Sequence, residues 1–410
     1  MDDPPRQRRS LTHVGGEAET EGHPADAAAL ARALDVPPAG DTDDDPARGH
    51  VHGFHTYPAR LHPDTAGRLV RAFCPPGGRV FDPFCGSGTV LVEAVLAGRV
   101  ATGTDLNPLA VRLARCKIRP RPDAELAKLV SAAAGCAGVA DQRRKAKAGA
   151  SRRFPEDDVR LFEPHVLLEL DSLRTAIEDM PHGLAKADLW MVLSSLMVKF
   201  SKQRADTVRA APGRRTAAGA VAKQFLARAE ELAGRLAAFT AAAPVPPPPA
   251  TAAEDDATVL RTVQPGSADA VITSPPYAGT YDYLQHHELR LRWLGLDTAR
   301  LQHGEVGSRT AYRRLSLPEA QRRWAGELSR FLTAVGRVLA AGRPLVLVMA
   351  DSAVGGVGLR AEAVVADLAW GCGFEPAARA SQARPHFHLP TANAFRDRPR
   401  REHALLLRRR

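Results

Sequence analysis

Aromatic residues are scarce in this chain, at 5%, so a core has to be built mainly from aliphatic side chains. Cysteine is scarcer. The five present, Cys74, Cys85, Cys116, Cys136 and Cys372, are odd in number and include no Cys-x-x-Cys pair. That argues against a disulfide framework and against a cysteine-based zinc site. No stretch approaches the roughly 18 uninterrupted apolar residues that a membrane helix needs. The opening MDDPPRQRRS leads into a polar Gly/Ala/Asp stretch without the apolar centre of a secretory signal. The expectation from these absences is a reduced, cytoplasmic protein that does not engage a membrane.

Arginine and alanine are plentiful instead. The 410 residues are 44% hydrophobic and 25% charged, enough apolar mass for a sizeable core. Fifty-six Lys and Arg against 46 Asp and Glu leave a net charge of +10, a balance that favours a polyanionic partner without naming one. Residues 1–48 mix Pro, Gly, Asp and Ala with little periodicity and are expected to be disordered, apart from a short helix at 27–34 capped by Asp26. From 49 to 120 the pattern reads helix (61–73), strand (79–81), glycine loop, helix (89–96), strand (100–104) and a helix opening at Pro108. Residues 121–243 read as almost all helix, interrupted by the basic stretch KFSKQRADTVRAAPGRR at 199–215. The proline run APVPPPPA sits in an expected linker, 244–257. Strand–helix alternation resumes over 258–410, with strands at 268–273, 344–350 and 403–407, helices at 317–341 and 361–370, and an arginine-rich tail from Arg396 to Arg410. Such alternation predicts an α/β fold, a doubly wound, mostly parallel sheet covered on both faces, with 121–243 as a large helical insertion between its halves.

The most informative stretch is Asp82-Pro83-Phe84-Cys85-Gly86-Ser87-Gly88-Thr89, a strand end running through a glycine turn directly into a helix. In a doubly wound sheet that loop lies at the carboxyl edge, where ligands bind. Gly86 and Gly88 let backbone approach a ligand, and the helix from Thr89 offers free N–H groups to an anionic group. No lysine follows the glycines, so a P-loop is excluded, and Leu91 stands where a dinucleotide fold would place its third glycine. S-adenosylmethionine is the third candidate. Its amino-acid end needs close backbone and its ribose needs an acid after the next strand, and Asp105 lies there, 17 positions beyond Gly88.

DPFCGSGTVLVEA at 82–94 and GTDLNPLAV at 103–111 resemble motifs I and II of Rossmann-like (class I) methyltransferases that modify exocyclic amines of bases. ITSPPY at 272–277 resembles their catalytic motif, and FHTYPARLHP at 54–63 resembles the segment preceding the glycine loop. The pattern is similar to the N4-cytosine/N6-adenine DNA methylase family. The resemblance implies an S-adenosylmethionine-dependent site-specific DNA methyltransferase. It makes Asp82, Pro83, Phe84, Gly86, Ser87, Gly88, Thr89, Asp105 and Asn107 candidates for holding cofactor, and Ser274, Pro275, Pro276 and Tyr277 candidates for transfer. The halves 49–120 and 258–410 would carry cofactor binding and catalysis, and the insertion is a candidate for target selection. Ser at the first position of the SPPY motif resembles cytosine-N4 members more than adenine-N6 ones. The acid that holds the cofactor's adenine amine in such families is unassigned, because Glu254, Asp255 and Asp256 lie slightly early.

Chemistry at SPPY follows from the amine. Its lone pair is delocalised into the ring, so an enzyme must orient it and accept its hydrogens as it attacks. The Ser274 side chain and the Pro275 carbonyl are the expected acceptors, and Tyr277 the face on which an extruded base stacks. Tyr281 and Tyr283 are candidates to extend that wall, and His286 and His287 to line it. Lys199, Lys202, Arg204, Arg209, Arg214 and Arg215, together with the tail from Arg396 to Arg410, could grip phosphates without reading sequence. His50, His52 and His55 lack a completing Cys or acidic pair in sequence, and no metal is expected. DNA is the preferred partner. Two alternatives stay open: a tRNA or rRNA guanine-N2 methyltransferase, which shares DPFCGSGT and a PPY motif, and a non-catalytic nucleic-acid-binding protein on the same fold.

Overall fold

The computed structural model describes residues 16–36, 48–205, 208–209, 216–384 and 392–410. The chain first lays down Glu19–Gly22 (β1) and Pro24–Leu34 (α1), then Pro63–Phe73 (α2), Arg79–Asp82 (β2), Thr89–Leu96 (α3), Val100–Asp105 (β3) and Pro108–Lys117 (α4). The insertion follows: Asp123–Lys145 (α5), Glu156–Leu161 (α6), Pro164–Glu178 (α7), Leu184–Phe200 (α8), a small hairpin of Gln203–Ala205 (β4) and Val208–Arg209 (β5), and Ala220–Ala242 (α9). Ala250–Glu254 (β6) and Ala270–Thr273 (β7) return to the sheet. Helices Tyr283–Trp293 (α10), Ala299–Gly304 (α11), Arg309–Tyr312 (α12) and Leu317–Val338 (α13) then lead to Pro344–Ala350 (β8). A short hairpin, Ser352–Val354 (β9) with Val357–Leu359 (β10), precedes Ala361–Ala369 (α14), Phe374–Ala383 (β11) and Arg401–Arg409 (β12).

Eight strands form one sheet in the order β1-β11-β12-β8-β7-β2-β3-β6. Pairing is parallel from β6 through β3, β2 and β7 to β8, and antiparallel from β8 to β12, β12 to β11 and β11 to β1. The chain leaves β2 toward β3 on one side and returns to β7 on the other. Loops beyond the carboxyl ends of β2 and β7 therefore diverge, and a crevice opens between them.

Strand residues alternate between two cores, as pleating requires. Phe81, Val271, Leu345 and Leu347 pack with Trp324 and Phe331 of α13. Their neighbours Val80, Ile272, Val346 and Val348 join a core containing Leu69 of α2 and Leu91 of α3. Leu129, Leu170, Leu193 and Leu232 of the insertion belong to that same core, so the insertion is a second layer on this face of the sheet. Polar ties reinforce it: His55 Nε2 bonds Ser194 Oγ at 2.8 Å and Arg290 Nε donates to the Ser194 carbonyl at 3.2 Å. His52 Nε2 bonds Glu93 Oε1 at 2.9 Å, fixing the segment before α2 to α3. These bonds give two of the three spaced histidines a packing role.

Three sequence expectations need correction. Within 1–48, residues 16–36 are ordered: β1 pairs antiparallel with β11, and Leu30 and Leu34 of α1 are buried. That helix starts at Pro24, three residues before the expected 27, because proline suits the first turn. The expectation for 1–15 and 37–47 falls outside the described residues. In the expected linker, β6 is an edge strand registered on β3 from Ala101↔Ala250 to Asp105↔Glu254. Its sequence ATAAE carries little β propensity, and the ladder to β3 supplies what the side chains do not. The arginine-rich tail is largely β12, an interior strand, and its arginines are engaged: Arg401 pairs with Glu19, Arg408 with Asp26 and Arg398 with Glu362. Strand β11, FEPAARASQA, had no counterpart in the sequence reading, its apolar alternation being too weak.

Candidate active site

At the end of β2 the chain turns through Pro83 to Gly88 and enters α3. Gly86 and Gly88 hold φ of +50° and +89°, values that disfavour any residue with a Cβ. A Cβ on Gly86 would also lie 3.3 Å from the Tyr57 ring. Beyond this turn is an open cleft of about 630 Å³. Pro83, Phe84, Gly86, Asp105 and Asn107 line it from the first half of the sheet, Ser274 and Pro276 from the second. The structure thus brings together, on one cleft, residues from both motifs.

Asp105 Oδ2 accepts the Gly86 N–H at 2.9 Å and Oδ1 accepts the Asn107 N–H at 2.8 Å. Each oxygen keeps a lone pair for a further donor. Burial pushes this carboxyl up to about 6, against the pull of those backbone bonds. Asn107 caps α4 through Leu109 N–H at 3.0 Å. Asp82 is placed differently. It does not line the cleft; its Oδ1 accepts from Thr273 Oγ1 at 2.6 Å and from Phe84 N–H at 3.1 Å, bolting β2 to β7. Burial pushes Asp82 up to about 7. Ser87, Gly88 and Thr89 lie behind the cleft wall, and Ser87 Oγ is buried with no partner among the described residues.

A second cavity, about 780 Å³, adjoins the first. Ser274 and Ala59 line both. Tyr277 and Tyr281 line the second, whereas Tyr283 lines the first. Burial pushes the Tyr277 phenol up, partly offset by a hydrogen bond with the Ser274 side chain. The turn is pinned from outside by Gly307, whose φ is +67°. A Cβ there would lie 2.7 Å from the Tyr277 carbonyl oxygen, so only glycine fits. His287 does not reach either cavity; it is fully buried and its ring stacks on Tyr57 with centroids 4.9 Å apart. His286 and Pro275 are likewise absent from both linings.

The cavities differ in charge. The first carries three acids, Asp105, Asp256 and Glu305, and no basic residue. Burial pushes Glu305 up to about 7. The second carries Arg60, His62, Arg384 and Arg400 against Glu402 alone. The motifs single out neither Glu305 nor Arg384, whereas Arg60 lies inside the 54–63 segment and Arg400 inside the arginine-rich tail. Asp256, two residues past the end of β6, is one of the acids whose early position in the sequence leaves them unassigned. Of the basic stretch at 199–215, Arg214 and Arg215 and the side chains of Arg204 and Arg209 lie outside the described residues.

A DNA methylase family model of the N6/N4 type matches residues 39–115. Over that stretch the chain is similar to the DNA methylase family. Two curated relatives agree. The type II methyltransferase M.MvaI of Kocuria varians is 36% identical over 84 residues, 20% of this chain and 18% of its own length. M.MjaII of Methanocaldococcus jannaschii is 31% identical over 81 residues, 20% of this chain and 15% of its own. The chain therefore spans under a fifth of each of these relatives. Among solved structures, the rRNA methyltransferase aviRa of Streptomyces viridochromogenes is 14% identical, with 92% of this chain and 94% of that one covered at a TM-score of 0.34.

S-adenosylmethionine is the cofactor of such DNA methylases, and the first cleft fits it. Three carboxylates without a counter-cation suit a sulfonium that also carries an ammonium group. The Asp105 oxygens retain acceptor capacity for hydroxyl donors, and Gly86 leaves backbone within reach. No helix among the described residues is long and apolar enough to cross a membrane.

Proposed function

We propose that this protein methylates an exocyclic amine of a DNA base, cytosine N4 in preference to adenine N6, using S-adenosylmethionine. The carrying observation is that Ser274 borders two cavities of opposite charge. An acidic cleft suits a cationic donor and a basic one suits a nucleotide, so the serine stands where donor and acceptor would meet.

The bound cofactor supplies an activated methyl on a sulfonium. This chain's residues do the rest. Asp105 accepts from ribose hydroxyls, Gly86 and its neighbours admit the amino-acid end, and Asp256, just beyond β6, is placed to accept from an adenine amine. Ser274 accepts a hydrogen of the target amine, drawing its nitrogen out of conjugation as it attacks. The double proline stiffens the turn that carries this serine. Tyr277 provides a stacking face, worth about 1–3 kcal/mol per base, against an unstacking cost of a few kcal/mol for a base taken from a duplex. Attraction between the three acids and the donor weakens once the sulfonium charge is gone, which favours product release. Residues 49–120 and 258–410 act as cofactor and catalytic halves, and 121–243 is the candidate for target selection.

Transfer of tritiated methyl to duplex DNA, with total tRNA and rRNA as parallel substrates, tests this reading. Label in DNA alone is expected; label in RNA alone would replace it with the guanine-N2 reading. A Tyr277→Ala variant should bind cofactor normally and lose transfer. Wild-type protein that binds nucleic acid but never consumes cofactor would support the non-catalytic alternative.

A further inference from the structure

Arg384 follows β11 and closes part of the basic cavity. Its side chain is 2% exposed, and most of its polar groups are committed. The backbone N–H donates to the Arg400 carbonyl at 2.9 Å, Nε to Glu402 Oε2 at 2.8 Å and Nη2 to the Leu34 carbonyl at 3.1 Å. These bonds fix the plane of the guanidinium. Nη1 alone is buried without a partner among the described residues. Buried guanidinium donors are rarely left unmet, and this one belongs to a residue that shares a cavity with Ser274 and Tyr277.

A base held with its amine at Ser274 and its ring on Tyr277 turns the rest of its edge to the other walls of that cavity. Next to its amine, cytosine presents two acceptors in succession, N3 and the 2-oxo oxygen. Adenine, held by its amine, presents N1 and then a C2–H, which accepts nothing. A fixed N–H donor at the second position therefore distinguishes the two, whereas one at the first would serve either base. We infer that Arg384 is a base-reading residue whose free Nη1–H donates to the 2-oxo oxygen of the target, so that the cavity takes a 4-amino-2-oxopyrimidine. The inference rests on the DNA amino-methyltransferase reading and adds to it the base and the residue that selects it. Glu402 orients the guanidinium, and Arg60 and Arg400 line the same cavity.

The test uses the full chain with unmethylated genomic DNA and mass spectrometry of the nucleosides. N4-methylcytosine is expected. N6-methyladenine as the sole product overturns the role of Arg384 while leaving the enzyme reading intact; no methylated nucleoside at all overturns both. An Arg384→Ala, Glu402→Gln double variant, which leaves no lone buried carboxylate, should bind S-adenosylmethionine in calorimetry as the wild type does. Its kcat/KM on cytosine should fall about 100-fold or more, in line with the loss expected when a site built to hydrogen-bond loses its donor. Added methylguanidinium should restore part of it. If the double variant does not fold, Arg384→Lys, which keeps the charge, carries the test and should lose about tenfold at unchanged cofactor affinity. Wild-type kcat/KM in a folded variant overturns the inference. So does a loss that shows only as weaker DNA binding with a salt slope reduced by about one, which would assign Arg384 to a phosphate.

Discussion

Across the width of one serine, charge at the carboxyl edge of this sheet changes sign. On the β2–β3 side of Ser274 stand Asp105, Asp256 and Glu305; on the β12 side stand Arg60, Arg384 and Arg400. The net charge of +10 belongs to the whole surface and says nothing of the first cleft, which is set against it. The lesson is that composition points to the partner a protein meets first, whereas the buried acids at a strand end select the small cation that it keeps. The division follows topology. Acids come from the ends of β3 and β6 and the loop after α11, bases from the segment before α2 and from the residues just after β11 and just before β12.

The largest expected effect strikes the shared residue. Ser274→Ala should lower kcat by about 100- to 1000-fold, the range for removing one preorganised polar group at a reacting centre. Cofactor and DNA affinities should stay within about twofold, and a preserved kcat would place the reaction elsewhere. Next come substitutions that separate the cavities. Asp105→Ala should weaken S-adenosylmethionine binding by about 100-fold, the scale of two or so hydrogen bonds to a charged group, and leave DNA binding alone. Arg400→Glu should do the reverse, weakening DNA by about tenfold and lowering the salt slope by about one. Both losses in either variant would dissolve the division.

Smaller effects come from protons. A cationic ligand favours ionised carboxylates, and burial holds Asp105 up to about 6 and Glu305 up to about 7. Cofactor affinity should therefore fall as pH drops from about 8 through those values, by about tenfold for each proton taken up per pH unit. S-adenosylhomocysteine, uncharged at sulfur, should follow a shallower profile; identical profiles in calorimetry would remove the electrostatic argument. Asp82 shows the structural counterpart. Its carboxyl is raised to about 7, so between its ordinary value and 7 the folded state binds more protons than the unfolded one. Its contribution to stability is then lost as pH rises through that window. Asp82→Asn keeps an acceptor for Thr273 and should melt higher than wild type at pH 8, by about 1 kcal/mol, with little difference at pH 4.

Where the sequence carried strong local signals, the architecture was readable in advance. The run PLVLVMA became β8, fully buried, and the glycine turn stands where a strand meets a helix. Weak local signals concealed the rest. β6 is mostly alanine and follows five prolines within six residues, β1 is four exposed residues, and β11 mixes alanine with charge. Each is held as a strand by its neighbour's ladder, a tertiary cause that no window of sequence contains. The site divides likewise. Asp105 and Tyr277 were identifiable because their motifs are contiguous. Arg384 and Glu305 come to their cavities from positions more than 100 and about 30 residues beyond SPPY, and only the fold brings them there.

The junction between β2 and β7 joins Val80 to Ala270 and Phe81 to Val271, 190 positions apart. On the ribosome, at about 5–20 residues per second, strand β2 must wait roughly 10–40 s for its inner neighbour. During that interval one edge of a hydrophobic strand stands open, while α5 to α9, whose contacts are mostly with one another, can assemble. Nascent chains arrested before residue 270 should accordingly resist protease over the insertion yet stay cleavable near β2, and chains released past β12 should lose that difference. Equal resistance in both would show that the two halves need not wait for each other.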